Sequence, residues 1–185
     1  LEKLGHFSSG PFRGYKFSVY EGGHREPFVV RWPGVVKPGS VCGQLVAQAD
    51  IMATLADILG VQLPDNAGED SFDLMPLLRG NDATVRSNAV SCDVNGIPGI
   101  RSGPWKLILA GDDKAKTKGD VQLYNLDADP GETKNLAESQ PQRVAEMKAI
   151  LEKLTTDGRS TPGVPQKNDV EVRRFPRKGI PTREK

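Results

Sequence analysis

The sequence is short of cysteine, of any excess of one charge, and of long apolar runs. Cys42 and Cys92 are too few for a disulfide scaffold and too far apart for a C-x-x-C metal knuckle. With 25 basic and 24 acidic side chains the net charge is +1, so no global field points to nucleic acid or to an anionic membrane. No uncharged apolar run approaches the ~20 residues of a bilayer-spanning helix. The chain opens on Leu1, and no charged segment followed by an apolar one marks a leader there. What is present is enough for a core: 185 residues, 37% of them hydrophobic, fit one ordinary domain or one and a half small ones. That composition excludes disorder, collagen and coiled coil, and there is no internal repeat.

Residues 1–40 are rich in glycine and aromatics, which suits an irregular loop with tight turns. It leads into Pro27–Trp32, read as a short buried strand closed by Pro33-Gly34. From Gln48 to Leu59 the apolar residues Ile51, Met52, Leu55, Ala56, Ile58 and Leu59 make a helical stripe, with Asp50 as N-cap and Gly60 after its end. Strand then helix suggests α/β layering. Residues 61–85 wind, with one helical turn near Leu74–Leu78. Four β-like runs follow at 88–93, 99–101, 105–110 and 121–126, with an exposed polar hairpin loop at 112–120. Gln140–Thr156 is helical, carrying Val144, Met147, Ile150, Leu151 and Leu154 on one face. The last 28 residues hold four prolines and 8 basic against 3 acidic side chains, the pattern of an extended basic tail.

The informative stretch runs from Gly10 to Pro27 and reads R-G-x-K-x-x-x-Y-E-G-G-x-R-x-P from Arg13, followed by Arg31-Trp32-Pro33-Gly34. It resembles the C-terminal part of the sulfatase family, the arylsulfatase-like branch of the alkaline phosphatase superfamily. Residues 49–55, 100–108 and 123–136 resemble further family segments in the right order. The resemblance implies hydrolysis of a sulfuric ester by a formylglycine made from the cysteine of C-x-P-x-R, with a calcium ion held by aspartates and an asparagine. Neither Cys42 nor Cys92 lies in such a motif, and no D-N-G triplet precedes the R-G-x-K segment. The expectation is therefore the C-terminal portion of a sulfatase whose nucleophile and metal ligands lie upstream, inactive by itself and binding no calcium.

Of the family's site, the resemblance leaves Lys16 as the lysine that contacts a sulfate oxygen, where an ammonium stabilises developing negative charge. His6 is the second substrate-contact candidate. Glu21 reads as a carboxylate that orders the glycine turn, Arg25 as the partner of an interior carboxylate, and His24 as structural. Asp93 and Asn95 fit a turn between strands. Asp50 and Asp57, two helical turns apart, read as capping and solvation.

The expected fold is an α/β, alkaline-phosphatase-like sulfatase fold. Residues 1–85 form the C-terminal segment of the catalytic domain at the edge of its large mixed sheet. Residues 86–157 form a small antiparallel sheet with a packed helix, and 158–185 a basic tail. A sulfate ester is the expected partner, with no nucleic acid, no membrane, self-association through exposed apolar surface, and the family's periplasmic or secreted location. The alternatives are a phosphate or phosphonate ester hydrolase of the same superfamily and a noncatalytic polyanion-binding module using the tail.

Overall fold

A computed structural model describes residues 2–109 and 121–170. The polar loop at 112–120 and the arginines of the tail, Arg173 to Arg183, lie outside the described residues. The chain divides into two compact units, one of residues up to 25 with 90–149, the other of residues 26–89 with 150–170.

The first unit is built on a sheet of β1 (Asn88–Cys92), β2 (Pro98–Ser102), β3 (Trp105–Ile108) and β4 (Gln122–Asn125), in that spatial order. β2–β3 and β3–β4 are antiparallel. Period-2 alternation sorts the side chains into two faces. Ile100, Leu107 and Leu123 are cross-strand partners and wholly buried on one face. Arg101, Lys106 and Tyr124 are partners on the other. Over that second face lies a core of Val19, Tyr20, Ile97, Ile108, Tyr124 and Leu126. Gly99 leaves room there for Val19, whose methyl would stand 2.9 Å from a Cβ at that position. The helix read at 140–156 is α4 (Pro141–Asp157), with Met147 and Leu151 buried, and the guanidinium of Arg143 lies 5.1 Å from the centre of the Trp105 ring. Asp93 closes the β1–β2 turn, its Oδ1 accepting from the N–H groups of Asn95 and Ile97 at 2.8 and 2.7 Å, as the turn reading of Asp-Val-Asn-Gly expects.

The second unit carries α2 (Ile51–Leu59) and α3 (Met75–Leu78). Gly60, at φ 65°, ends α2 in the left-handed conformation that glycine adopts without a Cβ clash. Asp50 is not solvated. It is fully buried, and its Oδ1 accepts from Arg86 at 2.6 Å and from the Phe72 N–H at 3.0 Å, while Oδ2 takes the Ala47 N–H at 2.7 Å. The partner, Arg86, lies 36 residues away, beyond the reach of any local spacing rule. Pro27–Trp32 is not a strand: none of its residues is in a strand and Phe28 and Val29 are exposed. An extended run becomes a strand only when a neighbouring strand takes its N–H and C=O groups; here the Trp32 carbonyl accepts instead from the Val35 and Val36 N–H groups, in a local turn. Residues 158–170 are not an extended tail. The buried Arg159 donates to the Asp65 carbonyl and carboxylate and to the carbonyls of Thr161, Pro162 and Val164, folding that stretch back on the unit.

The apolar stripe of α2 faces outward: Ile51, Met52, Leu55, Ile58 and Leu59 are 41–74% exposed. A contiguous apolar face of this kind drives association. The 185-residue chain is expected to elute in size-exclusion chromatography above its 20.1 kDa at tens of micromolar, and Leu55→Lys/Leu59→Lys to return it to the monomer position. A wild-type chain monomeric at all concentrations would contradict this.

Candidate active-site loop and its buried support

Arg13–Tyr20 is a loop laid over the short helix α1 (Glu21–His24). The Gly22 N–H donates to the Arg13 carbonyl at 2.8 Å, the Gly23 N–H to the Tyr20 carbonyl at 2.8 Å, and the Ser18 N–H to the Tyr15 carbonyl at 2.9 Å. The two layers touch backbone to backbone. A Cβ on Gly22 would stand 2.2 Å from the Gly14 carbonyl oxygen, and one on Gly23 2.2 Å from that of Ser18. Only glycine permits this approach, which is the structural content of Tyr-Glu-Gly-Gly. Gly22→Ala is expected to displace the loop and cost more than the ~1–3 kcal/mol of ordinary overpacking, because backbone rather than a side-chain tip must move. Urea denaturation of the variant, with hydrogen exchange at residues 14–20, measures it.

Beneath the glycine turn the chain buries three charges. Lys106 is 1% exposed and its Nζ lies 3.0 Å from Glu21 Oε1 and 3.1 Å from Glu132 Oε1. Glu132 is wholly buried and its Oε2 accepts the Glu21 N–H at 2.7 Å. Glu132 thereby holds the start of α1 by its backbone while Lys106 holds it by its side chain. Arg101 and Arg25 each come within 3.6 Å of Glu21 Oε2, so Glu21 orders the turn and Arg25 pairs with an interior carboxylate, as the sequence suggests. Desolvation raises the pKa of Glu132 above the ordinary carboxylate value, against the Lys106 ammonium, which lowers it.

Arg13 fastens the other end of the loop. Its Nη1 donates to the Glu132 carbonyl at 3.0 Å and to Tyr124 Oη at 3.2 Å, and its guanidinium lies 3.8 Å from the centre of the Tyr20 ring. Tyr20 and Tyr124 both donate to Gln122 Oε1, at 3.0 and 2.5 Å, and burial pushes the Tyr124 phenol up to about 12. His24 belongs to this support. Desolvation and then the Lys106 ammonium lower its pKa, and its buried Nε2 has no hydrogen-bond partner among the described residues.

Lys16 sits at the crest of this loop. It is exposed, its ammonium lies 5.2 Å from the centre of the Phe17 ring, and among the described residues it pairs with no carboxylate. A free cation on a backbone gripped from below is suited to receive an anionic group. His6 is exposed on the preceding segment, and among the described residues its side chain meets no hydrogen-bond or ion-pair partner. Among the described residues no group of three or more His, Cys, Asp or Glu side chains could hold a metal ion. The described residues thus do not fit a calcium site. Sequence reasoning assigned no role to Lys106, Glu132, Arg13 or Tyr124. The available signal was Lys106 itself, a charge set in the apolar run Trp105–Leu109.

The fold recurs in solved structures. The chain superposes with TM-score 0.76 and 39% identity on a Bacteroides thetaiotaomicron sulfatase from a core genetic locus for the metabolism of multiple glycosaminoglycans, over 84% of this chain and 34% of that one. It superposes with TM-score 0.62 and 24% identity on the PsFucS1 sulfatase of a Pseudoalteromonas species, over 78% of this chain and 33% of that one. The fold is that of the C-terminal part of the sulfatases. Residues 15–157 match N-sulphoglucosamine sulphohydrolase, C-terminal, and the chain belongs to that family. It is 40% identical over 166 residues to an N-acetylgalactosamine-6-O-sulfatase of Bacteroides thetaiotaomicron, covering 84% of this chain and 32% of the relative. With human arylsulfatase A it shares 35% over 149 residues, covering 69% of this chain and 29% of the relative. The chain spans about a third of the length of these relatives.

Proposed function

We infer that this chain is the C-terminal portion of a sulfatase that hydrolyses a carbohydrate sulfate, and that Lys16 contacts the sulfate in its active site. The observation that carries this is the Lys16 ammonium, paired with no carboxylate among the described residues, on a loop clamped by Glu21, Lys106 and Glu132. The match to a family of sulphohydrolases and the 40% identity to an N-acetylgalactosamine-6-O-sulfatase support it. Lys16 supplies a compact positive charge on a long stem, able to follow a sulfate oxygen as the S–O bond to the sugar breaks and charge passes to the leaving oxygen. The loop is held for this in advance, its backbone bonded to α1 and to the β1–β2 turn and its Arg13 side chain to the Glu132 carbonyl. The nucleophile, a formylglycine, and a calcium ion that would polarise the sulfate belong to residues outside this chain. A periplasmic or secreted location goes with the same reading.

The test is release of inorganic sulfate by the complete enzyme that carries this chain, measured by ion chromatography with N-acetylgalactosamine 6-sulfate, an aryl sulfate and the matched phosphate esters. Sulfate release from the sugar, faster than phosphate release from its counterpart, is expected. The 185-residue chain by itself is expected to release none. An enzyme that cleaves phosphate esters and no sulfate ester would overturn the reading.

A further inference from the structure

Phe17 combines two features that folding disfavours. Its φ of 80° places a bulky residue in left-handed space, where Cβ crowds the backbone, and its ring is 63% exposed. The conformation is imposed from two sides. The Ser18 N–H closes a turn onto the Tyr15 carbonyl at 2.9 Å, and the Val94 N–H donates to the Phe17 carbonyl at 3.1 Å from the tip of the β1–β2 turn. That turn is stiff, being closed by Asp93 through the N–H groups of Asn95 and Ile97. The outcome is a phenyl ring displayed beside the exposed Lys16 ammonium, with the exposed side chains of Tyr15 and Val94 next to its attachment points. Glycine would adopt this backbone without strain, and burial would shelter the ring. Strained, exposed residues held by their surroundings cluster where ligands bind.

We propose that Phe17 is a specificity-determining residue that touches substrate: its ring is the apolar platform for a face of the pyranose whose sulfate Lys16 receives. Ligand sites commonly pair such aromatic walls with a few fixed polar groups, the wall selecting the body of the ligand and the charge its anionic end. The inference rests on the sulfatase reading and deepens it. Lys16 recognises any sulfate ester, whereas Phe17 favours one borne on a sugar ring over one borne on a small acyclic alcohol.

Three substitutions in the complete enzyme separate ring from backbone. Phe17→Gly removes the ring and relieves the strain, Phe17→Ala removes the ring and keeps the strain, and Phe17→Trp keeps a platform. Both ring-less variants are expected to raise KM for N-acetylgalactosamine 6-sulfate about tenfold with kcat within about twofold, the scale of losing one good apolar contact. Kinetics on ethyl sulfate stay unchanged, Phe17→Trp recovers the sugar KM, and Phe17→Gly melts no lower than wild type. Equal losses on ethyl sulfate would mean that the ring only steadies Lys16, and a lower melting temperature for Phe17→Gly that it packs against protein. Either result overturns the proposal, as does an unchanged sugar KM. Equilibrium titration with N-acetylgalactosamine 6-sulfate and with inorganic sulfate gives a readout without turnover. Phe17→Gly should weaken the first about tenfold and leave the second alone. An enzyme that releases no sulfate yet shows this difference refutes the sulfatase reading while upholding the platform, and sulfate release without the difference does the reverse.

Discussion

Replacing Lys106 by methionine is expected to destabilise the fold by roughly 3–5 kcal/mol, the usual penalty for removing one partner of a buried ion pair. Glu21 and Glu132 would then face each other in a site where Glu132 is wholly buried, with Arg101 and Arg25, at 3.6 Å from Glu21, offsetting them in part. The pH dependence identifies the responsible group. A carboxyl whose folded pKa is raised contributes stability that is fully present below its unfolded value and is lost as pH rises through its folded value. Glu132 is such a group, raised from an ordinary 4.5 by desolvation, with Lys106 holding the rise in check. Removing Lys106 lifts the folded value further and widens the window. The deficit against wild type should therefore be largest near neutral pH and shrink as pH falls toward the unfolded value. Urea denaturation across that range measures it, and a deficit that is the same at every pH would acquit Glu132. Adding Glu132→Gln to Lys106→Met should recover much of the loss, because a neutral amide still accepts the Glu21 N–H.

Lys16→Ala is expected to behave in the opposite way, leaving stability unchanged and lowering kcat/KM of the complete enzyme on a sulfate ester by about 10²–10³. That is the range for removing one group that stabilises developing oxyanion charge. Stability is spared because Lys16 is exposed and pairs with no carboxylate among the described residues. Lys16→Arg should not restore activity, since a planar fork cannot take the place of a compact ammonium above the Phe17 ring. Steady-state kinetics and melting curves on the same preparations make the comparison. Loss of activity with a matching loss of melting temperature would move Lys16 from the chemistry to the fold.

The elements with strong local periodicity were legible in the sequence: the four strands, α2 and α4 stand within a few residues of where alternation and apolar spacing put them. The crest of the site was legible through a motif of unusual length, which drew attention to Lys16 and to the glycines that let its loop lie flat. What supports Lys16 was not. Glu21 meets Lys106 across 85 residues and Glu132 across 111, and no pattern read along the chain couples positions so far apart. The same distance hid Arg86 from Asp50. Pro27–Trp32 failed for a complementary reason: β-propensity describes a surface waiting for a neighbour, and the neighbour is not encoded in the run itself.

The tie between the Glu21 N–H and Glu132 sets an order of events in the cell. Polymerisation at ~5–20 residues per second separates the two partners by about 6–22 s. During that interval the Lys16 loop has its glycines and its own turns but neither the carboxylate that fixes α1 nor the carbonyl that takes Arg13. A premature stop anywhere before the codon for Glu132 would thus leave Lys16 on a loop without these two anchors. Completion of the C-terminal lobe acts as the last step of assembly.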